Sequence, residues 1–371
     1  MSSTLVSSKV APLRYLPSYE HPDPDEGHTQ AQIEEQMRKI QERTWADGGK
    51  AIRSVHAKSH GLLVGELRIP VGLAPELAQG IFARAATLPV VMRLSTVPGD
   101  ILPDDVSTPR GMAIKIIGVE GERLPGSEGD VTQDFILVNG PSFGKPDAKS
   151  FAKNLKLLAA TTDKAAGAKQ VLSAALRGLE KVVEAVGGQS ATLTALGGHP
   201  ETNPLGETYY SQVPVLFGEY FGKICVRPVS PSLRALYKEP VDLKDRPDGL
   251  RDAVAAYFEE QGGEWELCVQ LCADVGEMPI EDASVVWDEK LSPYVPVARI
   301  VIGAQASWSD ARARSIDEGL AFSPWHGVAA HRPLGGVMRV RRDVYKAAQR
   351  FRAEKNQCAL SEPKTIADIG L

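Results

Sequence analysis

Apolar residues recur along this chain at two periods, and the switches between them outline its elements. Residues 1–27 show neither period; Pro, Ser and acidic residues there suggest an extended arm. From Thr29 onward Ile33, Met37 and Ile40 share one helical face, and Asp47-Gly48-Gly49 stops the helix. Between about 52 and 143 the period falls to two. Leu63, Gly65, Leu67 and Ile69 alternate, Met92 and Leu94 alternate against Val91, Arg93 and Ser95, and Met112, Ile114 and Ile116 repeat the pattern before DFILVN. Helical spacing returns over 150–187, with Leu172, Leu176, Leu179, Val183 and Val186 on one face before Gly187-Gly188. Strand-like runs follow around 207–231, 264–273 and 294–303, and a helical stretch at about 342–353 comes last. Strands before and after a helical insertion predict an α+β fold around one antiparallel barrel or sheet. No internal repeat is present.

Composition narrows the class. With 371 residues, 43% hydrophobic and 24% charged, the chain can bury a sizeable core. Lys+Arg 42 against Asp+Glu 47 gives a net charge of -5, which argues against a nucleic-acid partner that needs a basic face. No apolar run reaches the ~18 residues of a membrane span, and the first residues lack the apolar stretch of a secretory signal. Four cysteines are too few for a disulfide scaffold. A cytoplasmic enzyme is the expectation. In EWELCVQLC, Trp265, Leu267, Val269 and Leu271 alternate with Cys268 and Cys272, so both thiols are expected on one strand face as small buried side chains rather than metal ligands.

Three segments are odd for a plain structural barrel. RSVHAKSHG brings Arg53 and His56 to the start of the strand-rich region; alone, such a histidine reads as structural. MRLSTV and PRGMAIKI set Arg93 and Arg110 in otherwise apolar strands, where an arginine without a nearby carboxylate needs an anion or snorkels to the surface. RVRRDVYKAAQRFR places Arg341 one helical turn before Tyr345 and Arg352 two turns after it. Alone, it reads as a basic solvated helix.

Together these segments resemble the haem catalase superfamily. The family's R-x-x-H-A-[KR] is similar to Arg53-Ser54-Val55-His56-Ala57-Lys58, its R-F-S-T-V to Arg93-Leu94-Ser95-Thr96-Val97, and its R-G-x-A-x-K to Arg110-Gly111-Met112-Ala113-Ile114-Lys115. The interval from His56 to Arg93 is the family's too. Its proximal R-x-x-x-Y, with Arg five and seven residues on, is similar to Arg341, Tyr345, Arg350 and Arg352. EWELCVQL and VWDEKLSPYVPVARIVI resemble two further family strands. The likeness covers roughly residues 50–352.

The resemblance implies a catalase-like antiparallel β-barrel with surrounding helices. It divides the chain into an arm and helix (1–49), a haem-binding domain (50–352, with a helical insertion at about 150–190) and a tail (353–371). It also implies haem b with Tyr345 as the iron ligand, a phenolate favoured by the cation Arg341. His56 is then the acid–base catalyst of O–O cleavage, with Ser95 on its far nitrogen. Arg53, Arg93 and Arg352 are implied as partners of the haem propionates, and Phe143 and Phe151 as residues that stack on or line the haem.

Departures refine this. The family's D-x-x-G-N-N-T-P-x-F-F falls on Asp134 to Gly144, so its peroxide-binding asparagine becomes Val138 and only Asn139 is kept as a catalytic amide. Gln349 stands where the family usually has His. Only 19 residues follow Arg352, too few for the helical domain of large catalases, which suggests a short catalase-related peroxidase with a wide approach to the haem. The expected activity is reduction of hydrogen peroxide or organic hydroperoxides by a small organic electron donor, with weak catalase activity beside it. A fatty-acid hydroperoxide isomerase of the allene oxide synthase type and a non-catalytic haem-binding protein are the alternatives, and a homo-oligomer is left open. His326 and His331 are expected to brace the loop before the last helix, and His21, His28, His60 and His199 to lie at the surface or in turns.

Overall fold

The computed structural model describes residues 11–161 and 199–371. Among these residues nine strands form one antiparallel sheet: β1 (Ser59–Ile69), β2 (Ala86–Thr96), β3 (Arg110–Ile117), β4 (Thr132–Val138), β5 (Tyr209–Tyr210), β6 (Val215–Phe217), β7 (Tyr220–Pro228), β8 (Gly263–Leu271) and β9 (Val295–Ile302). Each pairs with its neighbour in the order β5-β4-β3-β2-β1-β9-β8-β7-β6. The two-residue strand β5 pairs with both β4 and β7, which closes eight strands into a barrel and leaves β6 as a hairpin partner of β7. The strand-like runs of the sequence are all present.

The interior of an eight-stranded barrel can be filled by its own side chains, and here it is. One residue in two points inward: Leu63 and Leu67, Met92 and Leu94, Met112 and Ile114, Phe135 and Leu137, Trp265 and Leu267 fill the interior. A ligand site must therefore lie outside, on the other face of the same strands. Val91 and Ile117 cover part of that outer face, with Ala113 and Ile136 beside them. Cys268 in β8 and Cys272 just beyond it are buried free thiols packed outside the barrel interior, as their alternation requires.

Helices wrap this wall. Helix α1 (Glu26–Gly48) buries Ile33, Met37 and Ile40 and ends at Gly49, whose φ of 69° allows its N–H to reach the Trp45 carbonyl. Helix α2 (Ala148–Thr161) is the described part of the helical insertion; the face from Leu172 to Val186 lies outside the described residues. Helix α3 (Gly249–Glu260) was not expected from the sequence. Its stripe of Leu250, Val254, Tyr257 and Phe258 is short, but Phe258 stacks on Trp265 with centroids 6.3 Å apart and so plugs a barrel end. Helix α4 (Gly336–Asn356) begins six residues earlier than the pattern suggests, because Gly335 turns the chain at φ 83°. Its Val340 and Val344 pack with Met37, Ala148 and Ala152 of α1 and α2. The extended arm is real over residues 11–25: Leu13 N–H donates to Cys272 O and Tyr15 N–H to Glu219 O, both at 2.8 Å. Among the described residues no helix is long and apolar enough to cross a membrane.

Candidate functional site

Between the outer wall of β2–β4 and helix α4 lies a cavity lined by residues of both. His56, Arg53, Arg93 and Ser95 line one side. Val344, Tyr345, Ala348, Gln349 and Arg352 line the other, at the i, i+4 and i+7 spacing that puts them on one face of α4. Residues 300 positions apart in the chain thus share one chamber.

His56 is held tightly. Its backbone has φ 54°, unusual for a residue with a side chain, and its N–H donates to Val97 O at 2.8 Å. Its Nδ1 is 3.0 Å from Ser95 Oγ, which fixes the ring. A Cβ on Gly111 would stand 2.4 Å from that same nitrogen, so the glycine of the RGMAIK run is what lets the imidazole lie against β3. Burial, reinforced by Arg93, Arg341 and Arg53, pushes the His56 pKa down to about 3. The ring is neutral at pH 7 and can accept a proton.

Tyr345 accepts a hydrogen bond from Arg341 Nη2 at 2.7 Å, and the guanidinium carbon stands 5.2 Å from the ring centroid. The one-turn spacing read from the sequence is therefore a direct contact.

Three arginines converge on a carboxylate that the sequence reading missed, Asp317 in the helical turn Ala313–Glu318. Arg93 Nε is 2.5 Å and Arg53 Nη1 3.1 Å from Asp317 Oδ1. Arg352 donates to the Asp317 carbonyl at 2.9 Å and to Leu320 O at 3.2 Å. Arg93 Nη2 also donates to His56 O at 2.8 Å, tying the histidine to the cluster. Burial would raise the Asp317 carboxyl, but Arg93 and Arg53, with the Ser59 hydroxyl, outweigh it and hold it low. Burial, then Arg93, brings Arg352 down to about 10, and burial, then Arg352 and Arg93, lowers Arg53 strongly. Three guanidinium groups thus gather around the one carboxylate of Asp317, with Glu318 also attracting Arg352.

The remaining expected site residues lie elsewhere. Asn139 turns away: its Oδ1 accepts from Arg110 N–H at 2.8 Å, and its Nδ2 donates to Glu207 and, at 2.7 Å, to His199 Nε2. Phe143 and Phe151 form a tilted pair, centroids 5.2 Å apart, and neither is among the described residues lining the cavity. Val138, in register with Gly111, shares the outer face of β4 with Ile136. Arg110 is fully buried near Ser107 and Thr108, away from the chamber. His326 and His331 do brace the approach to α4: His331 accepts from Ile81 N–H at 3.1 Å, and His326 joins Asp134 and Glu362. His21 and His28 are exposed as expected, whereas His60 and His199 are buried, each held by a hydrogen bond to a neighbouring side chain.

These residues fit a haem. Propionate carboxylates suit a cavity edge where arginines outnumber carboxylates, and the apolar walls formed by Val55, Ala113, Ile136, Phe322 and Val344 suit a flat macrocycle. Gln349 Nε2, buried without a hydrogen-bond partner, is a donor waiting for an acceptor in the chamber. Tyr345 stands on α4 and His56 against β3, so a group bound between them would have a phenol oxygen to one side and an imidazole to the other.

No protein-family model matches the sequence, and no curated protein does. Solved structures do. A fungal catalase superposes with TM-score 0.57 at 17% identity, covering 84% of this chain and 61% of its own. Catalase A from Saccharomyces cerevisiae gives 0.58 at 16%, covering 84% and 64%, and a bacterial catalase 0.54 at 15%, covering 95% and 67%. The chain thus spans less than two thirds of the first two. Its closed eight-stranded antiparallel barrel, with helices packed on the outer wall, is a catalase-like fold.

Proposed function

We propose that the chain is a haem-dependent peroxidase of the short, catalase-related kind, reducing hydrogen peroxide or organic hydroperoxides at the expense of a small organic electron donor. One observation carries this reading: a neutral, ring-locked His56 faces Tyr345 across a chamber whose arginines exceed its carboxylates. Haem iron supplies the two-electron redox chemistry. Tyr345 is its ligand, with the Arg341 contact favouring the charged phenolate. Arg53, Arg93 and Arg352 hold the propionates, Asp317 spacing the guanidinium groups.

His56 takes the proton from the inner peroxide oxygen and returns it to the outer one, so that an alcohol or water leaves as a neutral product. Ser95 and the Arg93 bond to His56 O keep the ring aimed during both transfers. Asn139 is occupied by Arg110, His199 and Glu207, and Val138 offers no hydrogen bond. Losing one donor of this type costs about 10²–10³-fold in rate, which favours slow donor oxidation over fast dismutation.

Two variants test the proposal. Tyr345→Phe lowers haem content and changes the ferric absorption spectrum. His56→Ala keeps the haem but slows donor oxidation about 10²–10⁴-fold, the usual worth of a general acid–base. Unchanged haem content in the first, or an unchanged rate in the second, overturns it. Oxygen evolution that outpaces donor oxidation would move the activity from peroxidase to catalase.

A further inference from the structure

Tyr345, Gln349 and Arg352 follow one another by four and three residues along α4, which sets them in a row on the chamber face of the helix. The two outer members are satisfied within the chain. Tyr345 accepts from Arg341 Nη2 at 2.7 Å, and Arg352 donates to the Asp317 and Leu320 carbonyls. Gln349 is not. Its Nε2 is buried without a hydrogen-bond partner, and among the described residues lining the chamber it is the only buried side-chain polar atom in that condition. An amide N–H withdrawn from water with no acceptor destabilises a fold. Its wall neighbours Val344 and Ala348 are apolar, so packing alone would be met by an apolar residue here.

The acceptors of the chamber are committed elsewhere. At the arginine edge, His56 O and Ala57 O take Arg93 Nη2 at 2.8 and 3.2 Å, and Leu320 O takes both Arg53 and Arg352 at 3.2 Å. Ser95 Oγ is held at His56 Nδ1. Tyr345 is one turn from Gln349, yet its oxygen is bonded to Arg341 and not to the amide. The missing acceptor therefore belongs to what the chamber binds. For a haem the choice is narrow. Its ring nitrogens are committed to the iron and its methyl and vinyl edges are apolar, so the propionate oxygens are the acceptors that remain.

We infer that Gln349 Nε2 donates a hydrogen bond to one haem propionate, a neutral contact three residues before the Arg352 cation. The inference rests on the haem reading and adds a propionate-binding residue to it. The arginine charges attract a carboxylate from any direction, whereas an amide N–H bonds along one. Gln349 thus fixes where along α4 the propionate edge stops, one turn beyond Tyr345.

The test is read on binding and folding, without turnover. Gln349→Met and Gln349→Leu keep the bulk and remove the donor. Each haem-free protein is titrated with haem and with iron octaethylporphyrin, which carries ethyl groups at its edge and no carboxylate, and is then unfolded in urea. Haem affinity should fall by at least about tenfold in both variants, the lower worth of a hydrogen bond to a charged group. Affinity for iron octaethylporphyrin should match that of the native protein, and the urea midpoint of the haem-free variants should be no lower. Equal losses on the two porphyrins would mean that the amide serves cavity shape or the Tyr345 oxygen, and the inference is overturned. Unchanged haem affinity overturns it too, as does a lower urea midpoint, which would show the amide already bonded inside the haem-free chain. Arg352→Gln separates this from the haem reading. If that variant loses haem affinity while the two Gln349 variants do not, the haem reading stands and the Gln349 contact falls; if the native protein binds no haem, both fall.

Discussion

Two clusters of buried charge meet the outer wall of β1–β4, and they differ in balance. Arg53, Arg93 and Arg352 surround a single carboxylate, Asp317, beside the chamber. A short distance along the same face, Lys115 bonds Asp134 at 2.8 Å and Glu362 at 2.5 Å, while His326 lies 3.3 Å from Asp134 and 3.1 Å from Glu362. There two cations meet two carboxylates. Burial works against the charged His326, but Asp134 and Glu362 outweigh it and raise its pKa to about 9; burial likewise opposes the Glu362 charge, yet Lys115 and His326 bring it down to about 2. The second cluster is complete within the chain. The first is not, and a fold keeps an incomplete buried cluster only where something else completes it. One short motif serves both the second cluster and the chamber: Lys115 joins Asp134 and Glu362, and Gly111, four residues before it, accommodates His56.

The comparison can be broken most severely at Lys115. Lys115→Met leaves Asp134 and Glu362 buried without their principal cation, and stability should fall by about 3–5 kcal/mol, read as a lower urea midpoint. The matching change in the other cluster, Arg352→Gln, should leave the haem-free protein as stable as before or slightly more so, since it removes a surplus cation. Its haem affinity should fall by about 1.5–3 kcal/mol, the worth of hydrogen bonds to a charged group. An equal loss of haem-free stability in the two variants would show that the clusters are not different in kind.

The smallest effect is in pH. The folded pKa of His326 lies above its ordinary 6.5, so its contribution is full below pH 6.5 and is lost as pH rises through about 9. The folded pKa of Glu362 lies below its ordinary 4.5, so its contribution is full above pH 4.5 and is lost as pH falls through about 2. Thermal melts should therefore decline on both flanks, and His326→Asn should flatten the alkaline one alone. A Tm of the native protein that stays level from pH 6.5 to 9 would remove the staple from His326.

What could be read in advance follows from distance along the chain. The strands were legible because alternation such as Met92-Leu94 or Met112-Ile114-Ile116 is local and a half-buried pleat demands it. Barrel closure was legible only through the family resemblance, since β5 is two residues long and carries no period. The His56 and Tyr345 assignments rest on short motifs whose partners are near in sequence: Ser95 by register, Arg341 by one helical turn. Asp317 escaped because its partners come from 224 and 264 residues away, and SIDEGLAF has nothing local to mark one acid among its neighbours. The direction of Asn139 depends on His199 and Glu207, contacts that no strand pattern encodes.

The Asp317 cluster also sets an order of events in synthesis. Its first arginine is made early and its last near the end of α4, and Glu362 must then come back to Lys115 across 247 residues. Closing loops of that length is slow compared with forming a helix or a hairpin. The barrel wall can pair while the chain is still growing, yet the anion cradle exists only once residue 352 has emerged and docked. A nascent chain stalled before α4 would therefore carry a largely paired sheet without the full arginine cluster, so the haem proposed for the chamber would be loaded only after synthesis.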